Sequence, residues 1–472
     1  MGQLKTEMFG VGDWVILENN KKYFGEVHLN NEYGLIYLKF RLIHDGSMNS
    51  FTKMPLKINS TSGVLIDGTR LTLLNGKRIR MQRNYGKEDT FEYIFDYMIE
   101  GAIFESTEEI IFSKMFITLP TLLKWGTVTN YIKPELDKTD KIIGLKVIDP
   151  IKVFENDVFS IEYNVSFTNP IFHLTFLEEK IILKQTPYLI IKSKEMKNLN
   201  FFILQLKKFL GLIEIAIGRA INIDVLKVWN PKYDYNIDVT KIENYLNVVH
   251  KFSTPKKGFK EDSRIREFRY LFNLIDLTSQ GSLENWFKKY ELLEPIIDLY
   301  LETIYKSDLS DINIFLNMTQ ALETYHSRIL SPGNVNDFKK RVEDITLKVE
   351  GTSRKKTREY LLDNIRSRVT FSSRIKDLII ANYEIIFYLG GYNRLEFPDI
   401  ITKTRNYYTH YNIKDKDKAL TGESLVDAYL VLKYLLEYYF MKELGFENQF
   451  IKKSIQNQWE NVKNRIYLRE DE

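Results

Sequence analysis

The sequence predicts an α+β protein, with a β-rich N-terminal half of antiparallel sheets or a sandwich and a helix-rich C-terminal half. Three observations carry this. Up to about residue 240, short runs rich in branched and aromatic residues are bounded by Asn and Gly, the pattern of strands. From about residue 262 the apolar spacing changes to that of helices. The chain has 472 residues, 44% of them hydrophobic, enough for several packed cores and about two to four domains.

The strands are read in order. Residues 14–17 and 34–40 are the first candidates. Residues 63–76 hold two strand-like runs around Asp67-Gly68, the dipeptide that favours a tight hairpin. Residues 110–117, 159–167, 172–176 and 189–191 follow. One helix interrupts them at 199–216, where Phe202, Leu206, Phe209, Leu210 and Ile213 form a helical stripe. Residues 221–228 return to a strand.

The expected domains are a β-rich region at 1–255 with a break near 135–150, a helical connector at 256–290 and a helical domain at 291–472. Pro255 to Gly258 read as the linker. Helices are expected at 263–272, 292–305, 312–329, 360–368, 373–389, 397–404 and 424–444. Ser331-Pro332-Gly333-Asn334 marks a break, Ser424 is a candidate cap and Gly445 a stop signal.

Composition excludes several chemistries. There is no cysteine, so disulfides and Cys-based zinc sites are out, and a reducing cytoplasm is the natural setting. The N-terminus lacks the apolar run of a signal peptide. The most apolar stretch, 201–217, is broken by Gln205, Lys207, Lys208 and Glu214, too polar for a membrane span. His28, His44, His173 and His250 are isolated, and no His-Glu-x-x-His spacing occurs. No P-loop is present, and Gly10-Val11-Gly12 does not continue into a dinucleotide fingerprint. No metal or cofactor is expected. Trp14, Trp125, Trp229, Trp286 and Trp459 read as core or interface residues. The net charge of +4 permits a nucleic-acid partner without demanding one.

The segment 404–412, Thr-Arg-Asn-Tyr-Tyr-Thr-His-Tyr-Asn, holds the densest chemistry. Arg405 can grip a phosphate through paired hydrogen bonds. His410 can move a proton near neutral pH. Asn406 can orient either partner. Tyr407, Tyr408 and Tyr411 offer faces for unpaired bases. Together these residues point to cleavage of an RNA phosphodiester with the 2′-hydroxyl as internal nucleophile. Geometry objects to a single helix. Arg405 and His410 are five residues apart, so on one straight helix they diverge by about 140°. Either Arg405 lies in a looser N-terminal turn of a helix, or two copies of the motif face each other across a two-fold axis. A structural Arg paired with a carboxylate and a capping His explains the same spacing.

Glu323 and His326 share a helix face and, with Arg328, are candidates for the RNA cleft. Arg354, Lys355, Lys356 and Arg358 form a basic cluster, continued by Arg366, Arg368 and Arg374, which is either an RNA track or a solvated face. Arg78, Arg80 and Arg83 alternate at strand spacing and are expected near one face of a sheet.

The segment around Arg405, Asn406 and His410 resembles the signature of HEPN domains: Arg, a polar residue, three to five others and His, at the start of a late helix of an all-α bundle. Residues 315–326 look like the first long helix of the Apea-like HEPN branch, and Phe371-Ser372-Ser373-Arg374-Ile375 like its middle-helix entry. The β-rich half resembles the domain that precedes HEPN in ApeA-type proteins, through Glu32 to Leu38 and the Asp67-Gly68 hairpin. The resemblance implies an all-α HEPN bundle at 291–472 and a metal-independent ribonuclease with Arg405, Asn406 and His410 as catalytic residues. It implies a cytoplasmic bacterial protein of antiphage defence by abortive infection, a homo-oligomer with a composite site at a dimer interface, RNA (tRNA above all) as substrate and a phage-derived trigger at the β-rich half. Two other readings stand beside it: a non-catalytic RNA- or nucleotide-binding regulatory module, and a purely structural oligomerisation domain.

Overall fold

The computed structural model describes residues 7–30, 35–43, 54–82, 88–132, 144–167, 184–237, 240–250, 270–279, 281–306, 308–330, 342–349, 351, 353–363, 370–380, 382, 384, 391–411 and 413–470. The chain forms two compact units, residues 1–209 with 221–265 and residues 210–220 with 266–472. The expected strand at 172–176, the linker after Pro255, the Ser331 to Asn334 break and most of 263–272 lie outside the described residues.

The first unit is built on one antiparallel sheet whose end closes into a barrel. Its strands are β1 (Glu7–Ile16), β2 (Lys21–Asn30), β3 (Leu35–Ile43), β4 (Lys57–Leu65), β5 (Arg70–Gln82), β6 (Glu88–Phe95), β7 (Tyr97–Glu100) and β8 (Ile111–Thr118). After them come β9 (Tyr131–Ile132), β10 (Gly144–Leu145), β11 (Ile151–Glu155), β12 (Phe159–Phe167), β13 (Gln185–Asn198), β14 (Val225–Trp229), β15 (Tyr235–Ile237), β16 (Thr240–Ile242) and β17 (Tyr245–His250). The ring runs β5-β4-β1-β2-β3-β6 and returns to β5. From β5 the sheet continues, open, through β7, β17, β14, β8, β13, β12 and β11. Of the two arrangements expected, the antiparallel sheet forms, and it closes on itself rather than stacking on a second sheet.

Strand β5 makes this closure possible because it changes partner midway. Leu71 to Leu74 pair with β7, while Lys77 to Gln82 pair with β6. At the change, Asn75 takes a positive φ of 59°, a conformation Asn tolerates better than most residues. A bulge follows between Arg78 and Arg80. It overturns the expectation that these cations share a face. Arg78 pairs with the inward Tyr93, lies 5.9 Å from the Phe91 ring centre and donates to the Met54 carbonyl at 3.1 Å. Arg80 pairs with Glu92 on the other side of the bulge, and Arg83 is outside the described residues.

The barrel interior follows the period of two. In β6, Phe91, Tyr93 and Phe95 point inward and are buried, with Thr90, Glu92 and Ile94 between them less so. Trp14, Phe40, Leu38, Val27 and Leu71 fill the same interior. Gly63 is required there: a Cβ at this position would fall 2.5 Å from Trp14 Cδ2 and Cε3. Burial pushes the Tyr93 phenol up to about 12. The Asp67-Gly68 hairpin forms as expected between β4 and β5. Gly68 has φ +86°, and Asp67 Oδ1 accepts from the Thr69 amide at 2.9 Å.

Two helices belong with the strands in sequence, α1 (Leu122–Gly126) and α2 (Leu199–Ile217). The first part of α2 buries Phe202, Leu206 and Phe209 in the β-rich unit, with Phe209 edge-on to Trp125 at 6.2 Å. Its last turns belong to the helical unit, where Glu214 accepts from the Tyr305 hydroxyl and Ala216 O from the Leu271 amide at 2.8 Å. The expected strand at 221–228 starts later, at Val225.

The helical unit contains α3 (Leu274–Ser279), α4 (Ser282–Tyr305), α5 (Asp311–Tyr325), α6 (Ser353–Asp363), α7 (Phe371–Ile380), α8 (Phe397–His410), α9 (Gly422–Leu444) and α10 (Asn448–Glu470). Helices α4, α5 and α9 pack on one another, with α7 and α8 against α5. In α9 nearly every residue from Val431 to Met441 is buried, the mark of a central helix. Its buried Glu437 takes Lys433 at 2.8 Å and the Tyr300 hydroxyl on one oxygen, Oε1, while the buried Oε2 has no hydrogen-bond partner. Gly445 ends α9 with φ +93°, as expected. Ser424 does not cap it: Thr421 holds the cap position, and the Ser424 hydroxyl donates to the Thr421 carbonyl. Trp14, Trp125 and Trp286 are core residues, while Trp229 carries Lys114 over its ring at 4.1 Å.

Candidate functional site

The site is organised by α8. Phe397, Ile401, Thr404 and Tyr408 are buried and recur at helical spacing, so they fix which face of α8 turns inward. Thr404 and Tyr408 also clasp the chain beyond the helix. Thr404 Oγ1 accepts from the Leu420 amide at 3.1 Å, and the Tyr408 hydroxyl donates to the Leu420 carbonyl at 2.8 Å. The helix ends at His410, where Tyr411 takes a left-handed conformation with φ +49°. The motif therefore ends a helix instead of starting one. Arg405 lies in regular turns well inside α8, and the looser N-terminal turn expected for it does not exist. The divergence of about 140° between Arg405 and His410 stands.

Arg405 is held on three sides. Its Nη2 is 3.5 Å from Glu323 Oε2, its Nη1 donates to Asn406 Oδ1 at 3.4 Å, and its guanidinium lies 5.5 Å from the Phe371 ring centre. Asn406 thus contacts the guanidinium. The Arg405 side chain is 31% exposed, so the outer part of its guanidinium faces solvent. His410 is exposed at the helix end. Tyr407 and Tyr411 meet edge-to-face at 5.7 Å, with Tyr411 64% exposed, whereas Tyr408 is buried with its hydroxyl occupied.

Glu323 connects Arg405 to a second cluster. Its Oε1 is 4.0 Å from Arg374 Nε on α7. Arg374 Nη1 lies 3.3 Å from His326 Nδ1, and His326 Nε2 lies 3.1 Å from Asp377 Oδ2. An arginine only donates, so Nδ1 accepts and the ring proton sits on Nε2, which donates to Asp377. His326 is buried, with both nitrogens occupied, and so presents no ring to solvent. It opens a turn of π-helix, His326–Leu330, which follows α5. The wider turn shifts the helical phase where His326 meets α7.

Arg328 is exposed in the π turn. Arg354, Lys355, Lys356 and Arg358 are exposed along α6, and Arg358 reaches Glu343 at 3.6 Å. Arg366 and Arg368 lie outside the described residues. The sequence places Arg374 on the basic track and Phe371 and Arg374 at the entry of a middle helix, and gives Asp377 no role. A usable signal existed, since Phe371, Arg374 and Asp377 recur at intervals of three on one helix.

Comparison with protein families fixes the class. Residues 316–450 match Apea-like HEPN, so the helical unit is a HEPN-type domain. Residues 11–288 match ApeA N-terminal domain 1, and with both matches the chain belongs to the ApeA-type proteins that carry a C-terminal HEPN domain. No curated protein and no solved structure matches the chain. Among the described residues, no helix is long and apolar enough to cross a membrane.

Proposed function

We propose that this protein is an antiphage endoribonuclease that cleaves RNA, with host tRNA as its target, through 2′-hydroxyl attack. The observation that carries the reading is the hold on Arg405. A guanidinium fixed by Glu323, Asn406 and Phe371 on α8, five residues before an exposed His410, supplies a fixed cation and a free imidazole. In the reaction the 2′-oxygen bonds to the adjacent phosphorus while the bond to the 5′-oxygen breaks. The products are a 2′,3′-cyclic phosphate and a 5′-hydroxyl. His410 takes the proton from the 2′-hydroxyl or gives one to the departing oxygen. Arg405 neutralises charge on the phosphoryl oxygens. The nucleophile is built into the substrate, so these steps need no metal from the protein. Because Arg405 and His410 diverge on one helix, the phosphate lies between the motifs of two chains. The cations of α6 supply attraction for the RNA backbone.

Protein purified from phage-infected cells and incubated with total RNA in EDTA is expected to cut, leaving 2′,3′-cyclic ends. A 2′-deoxy substitution at the cut position is expected to block the cut. Loss of cleavage in EDTA, or a 3′-hydroxyl product, would sink the mechanism. In infected cells tRNA fragments are expected to accompany growth arrest, and arrest with intact tRNA would exclude that target.

The β-rich unit is proposed to sense infection and restrain the nuclease, since unrestrained RNA cleavage is toxic. A chain lacking residues 1–260 is then expected to arrest growth without phage. Toxicity unchanged by the truncation would remove the restraint.

A further inference from the structure

The cluster beyond Glu323 has a charge balance that the Arg405 site alone does not explain. Two guanidiniums, Arg405 and Arg374, share one carboxylate, at 3.5 Å and 4.0 Å. Neither is held in the close bidentate geometry that Arg and carboxylate normally adopt. Arg374 Nε is buried and has no hydrogen-bond acceptor, because 4.0 Å to Glu323 is beyond reach. A buried donor left open in this way calls for a partner. Arg374 is also aimed deliberately. His326 accepts from its Nη1, and the ring that does so is fixed by Asp377 through its other nitrogen. A neutral acceptor orients the guanidinium without cancelling its charge, which a carboxylate in that place would do. The Asp377 side chain is 58% exposed, so water screens much of its charge.

We propose that Arg374 is a second phosphate-binding guanidinium of the Arg405 site, positioned by His326, and that its ligand is a phosphodiester neighbouring the scissile one on unpaired RNA. The inference rests on the nuclease reading and extends it from one phosphate to two. Glu323 keeps the two cations apart in the RNA-free chain. A phosphate oxygen that displaces Glu323 from beside Arg374 supplies the acceptor that its buried Nε lacks. Phe371, one turn before Arg374 on α7, packs on Arg405, so a single helix sets the spacing of both cations.

The test is RNA binding by the His410→Ala chain, read by anisotropy of a labelled single-stranded oligoribonucleotide over a salt series. Adding Arg374→Ala is expected to weaken binding about tenfold. It is also expected to flatten the slope of log K against log salt by about 0.7, the share of one phosphate contact on a single strand. Arg374→Lys is expected to restore the slope but only part of the affinity, because the fork is lost. His326→Ala is expected to weaken binding with the slope kept, and His326→Gln, which can still accept and donate, to bind more tightly than His326→Ala. If Arg374→Ala fails to fold, the Lys and His326 variants carry the test. Weaker binding of Arg374→Ala with an unchanged slope assigns it a structural role and overturns the proposal. Wild-type cleavage that Arg374→Ala leaves unaltered overturns this proposal alone. A chain that binds no RNA overturns it together with the nuclease reading.

Discussion

Replacing His410 with Ala is expected to lower the single-turnover cleavage rate by about 10²–10⁴-fold, the usual loss when a general acid or base is removed. Arg405→Ala is expected to cost about 10²–10³-fold, the loss typical of one donor to a charged transition state. The two should not add. Proton transfer and charge stabilisation act on one transition state, so the double variant is expected to be little worse than the slower single one. The proposed catalytic role is separable from folding here. His410 is exposed at the end of α8, and Arg405 is half-buried beside Glu323, so neither fills the core. Both variants should melt near the wild-type temperature, since surface changes of this kind usually stay within about 0.5 kcal/mol. Arg405→Lys is expected to remain strongly impaired, because an ammonium cannot present two parallel donors to a phosphate. A His410→Ala chain that cuts at the wild-type rate would remove His410 from the proton transfer, whereas an activated wild type that never cuts would leave the domain a binding module.

The features readable in advance were those fixed by a few neighbouring residues. The Asp67-Gly68 turn is an example: a positive φ at Gly68 and an Asx contact from Asp67 to Thr69 need nothing from the rest of the chain. The stop at Gly445 is another. Barrel closure was not readable, because it depends on β5 having three neighbours, with a positive-φ Asn75 and a bulge at the points of change. The same bulge defeated simple alternation at Arg78 and Arg80. At the site, what Arg405, Asn406 and His410 could do chemically follows from residue type alone. Their placement does not: whether α8 runs on to His410 is settled by the clasp of Thr404 and Tyr408 on Leu420, a contact across more than ten residues. The partner of Arg405 lies 82 residues upstream, and the role of Arg374 depends on a π turn that periodicity cannot show.

The largest qualitative effect is expected from mixing two inactive chains. Arg405 and His410 both lie on α8, so in the proposed reaction a phosphate gripped by Arg405 of one protomer would be out of line with that protomer's own His410. If each catalytic centre takes Arg405 from one chain and His410 from the other, the two single variants complement each other. In a dimer of Arg405→Ala with His410→Ala, one centre carries both defects and the other carries neither. Random exchange makes about half of the dimers mixed, each with one of two centres intact, so about a quarter of wild-type activity should return. A centre built within one chain predicts no recovery, because every chain in the mixture is defective. The measurement is RNA cleavage by the variants alone, and by an equal mixture after dissociation and reassembly. A mixture no more active than its components would place the phosphate within one chain, and α8 would then have to unwind between Arg405 and His410 on binding RNA. A mixture that recovers activity only when assembled together would establish the shared centre, since surviving contamination by wild type would appear in the separate samples as well.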